Sequence, residues 1–129
     1  MGFCRFEELK VFQLAEQLAD KVWDIVMSWK YFDKETVGKQ LVQSADSIGA
    51  NISEGAGRGT PRDNRRFIRI ARGSFNETKF WLRRANKRDF LSKTQIKDLK
   101  EIINDLGPCL NGYLKSIGVA KHPTLKTQH

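Results

Sequence analysis

At 129 residues with 40% hydrophobic content, the chain can build one hydrophobic core, since a chain of this size buries about two thirds of its unfolded surface. Three prolines and no repetitive tract argue against disorder, and Cys4 and Cys109 are too few for a disulfide framework or a zinc site. The net charge of +8 is unevenly placed: eleven of the 23 Lys and Arg lie from Arg58 to Arg88 against two acids, so that stretch carries +9 and the other 98 residues come to −1. No apolar run approaches the roughly 20 residues of a membrane span and no apolar leader opens the chain, so a soluble protein of the reducing cytoplasm is expected.

The first predicted helix runs from Phe6 to Trp29, with Val11, Leu14, Ala15, Leu18, Val22, Ile25, Val26 and Trp29 recurring at steps of three and four. Asp33 is the expected N-cap of the second, with Glu35 in its first turn. Between Gly38 and Gly55 this helix holds Ser44, Ala45, Ser47, Gly49, Ala50 and Ser53, small residues that suit close packing on more than one side. Gly38 and Gly49 each cost about 1 kcal/mol relative to alanine, so packing should offset them. Gly55 to Gly59 closes the helix; a phosphate-loop reading of Gly57 and Gly59 fails for want of a Gly-Lys-Ser/Thr ending and a preceding strand.

Thr60 and Pro61 start the third helix as N-cap and first helical residue, with Asp63 placed to reach back to the cap amide. Ser92 and Gln95 form a capping box for the fourth, whose Ile96, Leu99, Ile103, Leu106, Leu110, Tyr113 and Ile117 make a heptad seam that keeps its phase across Gly107-Pro108. One bent helix is the reading. Residues 1–117 thus form an up-down-up-down four-helix bundle, and residues 118–129 a frayed tail.

The third helix divides sharply around its axis. At about 100° per residue, Arg62, Arg65, Arg66, Arg69, Arg72, Lys79, Arg83, Arg84, Lys87 and Arg88 occupy one half, while Phe67, Ile68, Ala71, Ser74, Phe75, Thr78, Leu82 and Ala85 occupy the other. Ordinary solvated faces mix both signs, and like charges at i,i+4 repel unless a partner neutralises them. A polyanion is the expected partner, nucleic acid foremost, with Arg58, Arg62, Arg65, Arg66, Arg69, Arg72, Lys79, Arg83 and Arg84 as its contacts; a plain solvated face and an acidic protein partner are the alternatives.

A second stripe on the same helix, Ile70, Gly73, Glu77, Phe80 and Trp81, lies outside the core face. It suits either base stacking or a close contact between subunits, and the glycine favours the subunit contact because stacking needs no missing side chain. Catalytic and metal chemistry is not expected. Both histidines, His122 and His129, lie in the tail, and Asp46, Glu54 and Glu77 stand singly, so no di-iron set, acid–base pair or activated nucleophile is available and no cofactor is implied. Glu54 is expected to cap the helix or to pair with Arg58, and Glu77 to bind across a helix contact.

Phe6, Glu7, Leu9 and Val11, then Gln40, Leu41, Ser44, Ala45, Ser47, Ile48, Asn51, Ile52, Glu54, Gly55 and Arg58, followed by Phe67, Ala71, Gly73, Ser74 and Glu77, carry a family resemblance over residues 6–117. The pattern resembles the four-helix bundle proteins encoded in bacterial 23S ribosomal RNA intervening sequences, which are similar to the accessory variability determinant of diversity-generating retroelements. The resemblance implies a small, basic, non-enzymatic bundle assembling as a homopentameric barrel. In the retroelement members it also implies binding to nucleic acid and to a reverse transcriptase. Phe12 stands where the family usually has Trp, and Phe75-Asn76 replaces an apolar run. The expected function is an oligomeric binder of RNA or RNA–DNA hybrid with weak sequence preference; the alternative is an assembly scaffold whose basic face docks an acidic protein.

Overall fold

The computed structural model describes residues 5–118. The tail expected from residue 118 lies, beyond Gly118, outside the described residues, as does Cys4. Four long helices and no strand are formed among the described residues. A 3-10 turn, Phe6–Glu8, precedes α1 (Lys10–Met27); the segments Tyr31–Asp33, Lys34–Gly38 and Lys39–Ala56 run on as one helix, α2 (residues 31–56); α3 is Pro61–Lys87 and α4 is Lys93–Ser116. Each helix packs on its chain neighbours, and α4 also packs on α1, which leaves α1 and α3 diagonal to one another. This is the up-down-up-down arrangement that short connections enforce.

The first helix is shorter than its periodicity suggests. Leu9 is extended (φ −73°, ψ 131°) and interrupts it, and α1 stops at Met27 rather than Trp29. Phe6 turns back to stack edge-on against Phe12 at 5.0 Å between ring centres, so the preceding residues form a separate turn. Seven of the eight periodic residues, Val11 through Val26, are buried.

Asp33 is not the N-cap of α2. Lys30 takes that position in extended backbone without a side-chain bond, and Asp33 is already helical at φ −67°, ψ −38°. Residues Lys34–Gly38 form a π turn instead. Thr36 donates its hydroxyl to the Phe32 carbonyl at 2.8 Å, the kind of side-chain competition that loosens a helix ladder. Gly38 then lies against α1, where a Cβ would come 2.6 Å from Val26 Cγ1. Gly49 is less constrained, its nearest neighbour being Phe12 at 3.4 Å.

The closest contact in the bundle joins α2 to α3. Thr78, fully buried, has its hydroxyl oxygen within hydrogen-bond distance of both the Ser74 carbonyl, 2.8 Å, and Ser44 Oγ, 3.0 Å, and the Ser47 and Ser74 hydroxyls lie 2.8 Å apart. Asn51 Nδ2 donates to Ser47 Oγ at 3.0 Å. At the lower end, a Cβ on Gly55 would meet Asn64 Oδ1 at 2.6 Å and Phe67 Cβ at 3.0 Å. Small residues therefore let the two backbones approach, and their hydroxyls bond one another instead of water.

The caps of α3 and α4 follow their sequence signals. Thr60 Oγ1 accepts from the Asp63 amide at 3.2 Å, with Pro61 as the first helical residue; the Asp63 carboxylate instead faces Arg66 at 3.9 Å. Ser92 and Gln95 complete both bonds of a capping box. The helix α3 ends in a left-handed residue, Asp89 at φ 60°, with Phe90 N–H donating to the Ala85 carbonyl and Asp89 N–H to that of Asn86. That is the Schellman pattern, with Asp filling a place glycine usually takes. One helix runs through Pro108, with Leu99, Leu106 and Leu110 buried.

The two helix glycines should behave oppositely. Gly38→Ala forces Val26 and the π turn apart and is expected to destabilise the fold by about 1–3 kcal/mol, whereas Gly49→Ala finds ordinary contact distances and should stabilise it by up to about 1 kcal/mol. Urea denaturation of both variants measures the difference.

Candidate nucleic-acid interface

The buried side chains of α3 are Ile68, Ala71, Phe75, Thr78, Leu82 and Ala85, all from the half of the helix expected to face the core. The cationic half is thereby turned outward, with Arg62, Arg66, Arg69, Arg72, Lys79, Arg83, Lys87 and Arg88 exposed. The side-chain partners divide them further. Arg58 pairs with Glu54 at 2.7 Å and Arg66 with Asp63 at 3.9 Å, and both guanidiniums stack on Phe67, at 4.7 and 4.5 Å from the ring centre. Arg62, Arg69, Arg83 and Arg84 have no carboxylate within ion-pair distance among the described residues, although Arg84 is half-buried.

Arg65 departs from the expected set. It is half-buried and donates from Nη1 to the Ile117 carbonyl at 3.0 Å, tying the end of α4 to the start of α3. Its charge caps a helix C-terminus and is partly used there. Arg72 reaches the same neighbour, donating to Asn111 Oδ1 at 3.3 Å, and Lys79 lies 4.9 Å over the Phe75 ring.

These contacts orient the helix. Ser74 and Thr78 mark the edge of α3 toward α2, and Arg65 and Arg72 mark the edge toward α4. At about 100° per residue, Ile70, Glu77 and Trp81 fall toward α2, while Lys79 and Arg83 fall toward α4; Arg62, Arg69, Gly73 and Phe80 lie between. The cations and the apolar stripe thus share one face, with Arg62 and Arg69 beside Gly73 and Phe80, and Arg66 and Arg88 on the α2 side with Glu77 and Ile70.

The apolar surface is open. Ile70 is 43% and Phe80 52% exposed, and Phe80 packs edge-on against half-buried Trp81 at 4.9 Å. Glu77 does not reach another helix as expected; it accepts from Trp81 Nε1, one turn on, at 3.3 Å. A Cβ built on Gly73 would meet nothing within 4 Å among the described residues, so no contact among them explains a glycine in the middle of this helix. A second exposed apolar corner, not anticipated from the sequence, comprises Trp23, Met27, Tyr31 and Phe32, where α1 passes into α2.

Acidic side chains gather elsewhere. Glu16, Asp20 and Asp46 line a groove of about 310 Å³ between α1 and α2, together with Phe12 and Gly49. Burial chiefly, and the nearby Asp20 charge, push the Asp46 carboxyl above its ordinary value. No group of three or more His, Cys, Asp or Glu among the described residues is arranged to hold a metal ion, and no described helix is long and apolar enough to cross a membrane.

Arg65→Ala should cost about 1 kcal/mol through removal of the bond to the α4 end, while Arg62→Ala and Arg69→Ala stay within about 0.5 kcal/mol of the parent in urea denaturation. Asp46 binds its proton more readily in the fold than in the unfolded chain, so protonation favours the fold and ionisation costs stability as pH rises through the folded value. Asp46→Asn should therefore raise Tm slightly at pH 7, and the gain should vanish below the ordinary aspartate value of 3.8.

A family model described as 23S rRNA-intervening sequence protein matches residues 7–112. A crystal structure of a protein with unknown function of the S23 ribosomal protein family, from Bacteroides thetaiotaomicron, is similar with a TM-score of 0.72 at 22% identity, over 82% of this chain and 99% of that one. That likeness establishes the shared fold. No curated protein sequence matches the chain. The family match takes in α1, α2 and α3 whole and most of α4, and the chain belongs to the 23S rRNA-intervening sequence protein family.

Proposed function

We propose that this protein is a non-enzymatic, oligomeric binder of nucleic acid that holds phosphates on the outward face of α3. The observation that carries the reading is the exposed cationic half of that helix, where Arg62, Arg69 and Arg83 have no carboxylate partner among the described residues. Unpaired like charges on one face are costly until a polyanion neutralises them. Binding through phosphates rather than base edges gives weak sequence preference, because a bundle face has no single helix protruding into a groove of duplex DNA.

Assembly as a homopentamer belongs to the same proposal. The stripe on α3 and the corner at Trp23, Met27, Tyr31 and Phe32 lie on different elements, so contact between them is head-to-tail, and such a contact closes into a ring when its rotation allows. The acidic α1–α2 groove offers complementary charge to a neighbour's α3. A role beside a reverse transcriptase in a diversity-generating retroelement belongs to the same proposal and rests on the resemblance carried by Ser44 to Glu77.

Affinity for structured RNA, RNA–DNA hybrid and duplex DNA should fall steeply with salt, by about 0.9 log units per log unit of salt for each duplex phosphate neutralised. Arg62→Glu/Arg66→Glu/Arg69→Glu should flatten that slope. Weak binding that ignores the reversal would contradict the reading and direct attention to an acidic protein partner. Gly73→Leu places a branched side chain where none of the described residues touches it, so native mass spectrometry should find the assembly of 14.8 kDa subunits broken into smaller particles while helical content is kept. An intact assembly would make the stripe something other than a subunit contact.

A further inference from the structure

The groove between α3 and α4 brings cations and amides together. Over about 850 Å³ it is lined by Arg72, Lys79 and Lys115 and by three amides, Asn76, Asn104 and Asn111, with no acid among the lining residues. Past Lys79 it continues into a smaller recess bordered by Arg83 and Lys100, again without an acid. From Arg72 to Arg83 the α3 wall spans about 16 Å at 1.5 Å per residue.

Its openness has a sequence origin. Gly107 rests on the Phe75 ring, where a Cβ would lie 3.3 Å away, and a Cβ on Gly112 would meet nothing within 4 Å among the described residues, so at these two positions the α4 wall presents bare backbone. Pro108 has no N–H to give to the Asn104 carbonyl one turn earlier, which leaves a main-chain acceptor without its helical partner beside the Asn104 amide. An open furrow running along two neighbouring helices can be followed by one extended strand, whereas a duplex must lie across its rim.

We propose, resting on the nucleic-acid reading of α3, that this groove is the track for a single strand of nucleic acid. Arg72, Lys79, Arg83, Lys100 and Lys115 hold its phosphates, and Asn76, Asn104 and Asn111 meet the edges of its bases or sugars. Amides supply both donors and acceptors, which base edges and a 2′-hydroxyl need and phosphates do not. The cations set affinity and salt dependence; the amides set the preference for an unpaired strand. The Arg72–Asn111 bond that now bridges the walls is exchanged for contacts to the strand.

The test uses the full chain with fluorescein-labelled 15-nucleotide single strands of RNA and of DNA, a matching duplex, and polyglutamate as competitor. Asn76→Ala/Asn104→Ala/Asn111→Ala should weaken single-strand binding about tenfold, leave duplex binding unchanged and keep the salt slope. Lys79→Gln/Lys115→Gln should lower the single-strand slope by about 0.7 for each phosphate that is no longer neutralised. All five side chains are exposed, and circular dichroism verifies that both variants fold. RNA bound more tightly than DNA assigns contacts to the 2′-hydroxyl, and equal binding assigns them to bases and phosphates. If the amide variant binds single strands like the parent while Arg62→Glu/Arg69→Glu abolishes binding, the groove is not the track although the basic face still binds nucleic acid. If neither set of variants changes binding, or polyglutamate binds more tightly than either strand, both the groove and the α3 reading fall.

Discussion

The close approach of α2 to α3 is the constraint from which the outer surface follows. Ser44, Ser47 and Gly55 on one side and Ala71, Ser74 and Thr78 on the other leave too little bulk to hold the helices apart. The buried Thr78 hydroxyl has a partner within its own helix, the Ser74 carbonyl, and another across the seam, Ser44 Oγ, so the contact leaves it satisfied. Larger side chains would separate the helices, and other rotations of α3 would bury arginines. With that contact made, only one half of α3 can face the core, and its cations have nowhere to go but outward.

The helices were legible because their signals are local. Thr60-Pro61 and Ser92 with Gln95 announce two helix starts through bonds made within four residues. The half-and-half division of α3 needs only the helical period. Readings failed where tertiary contact chose among local options. Asp33 is a good capping residue, but the cap position falls at Lys30, and the π turn places Gly38 against Val26. Arg65 looked like its neighbours by spacing and is distinguished only by the carbonyl of Ile117, 52 residues away. The α4 wall of the groove was missed for the same reason: Asn104, Asn111 and Lys115 are ordinary residues in their own helix and gain meaning beside Arg72 and Lys79. Gly107, Pro108 and Gly112, three poor helix formers in one helix, were the available hint.

Charge is also sorted by position in the bundle. The acids Glu16, Asp20 and Asp46 share the α1–α2 groove, and the cations share α3 and its border with α4, diagonal to α1. Separation of this kind raises the local potential well above what a net charge of +8 spread evenly would produce. It also gives one copy complementary surfaces to offer another. On α3 itself, Ile70, Glu77 and Trp81 lie toward α2, Lys79 and Arg83 toward α4, and Arg62, Arg69, Gly73 and Phe80 share the line between them.

Photo-cross-linking tests the central claim most directly. Single-stranded RNA carrying 4-thiouridine is bound by the intact protein, irradiated, and the adducts are located by peptide mass spectrometry. Adducts confined to residues 58–88 of the α3 region and to the α4 wall of the groove, and abolished when salt is raised, are the expected result. Adducts on the α1–α2 face, or none under conditions where the RNA is bound, would contradict it.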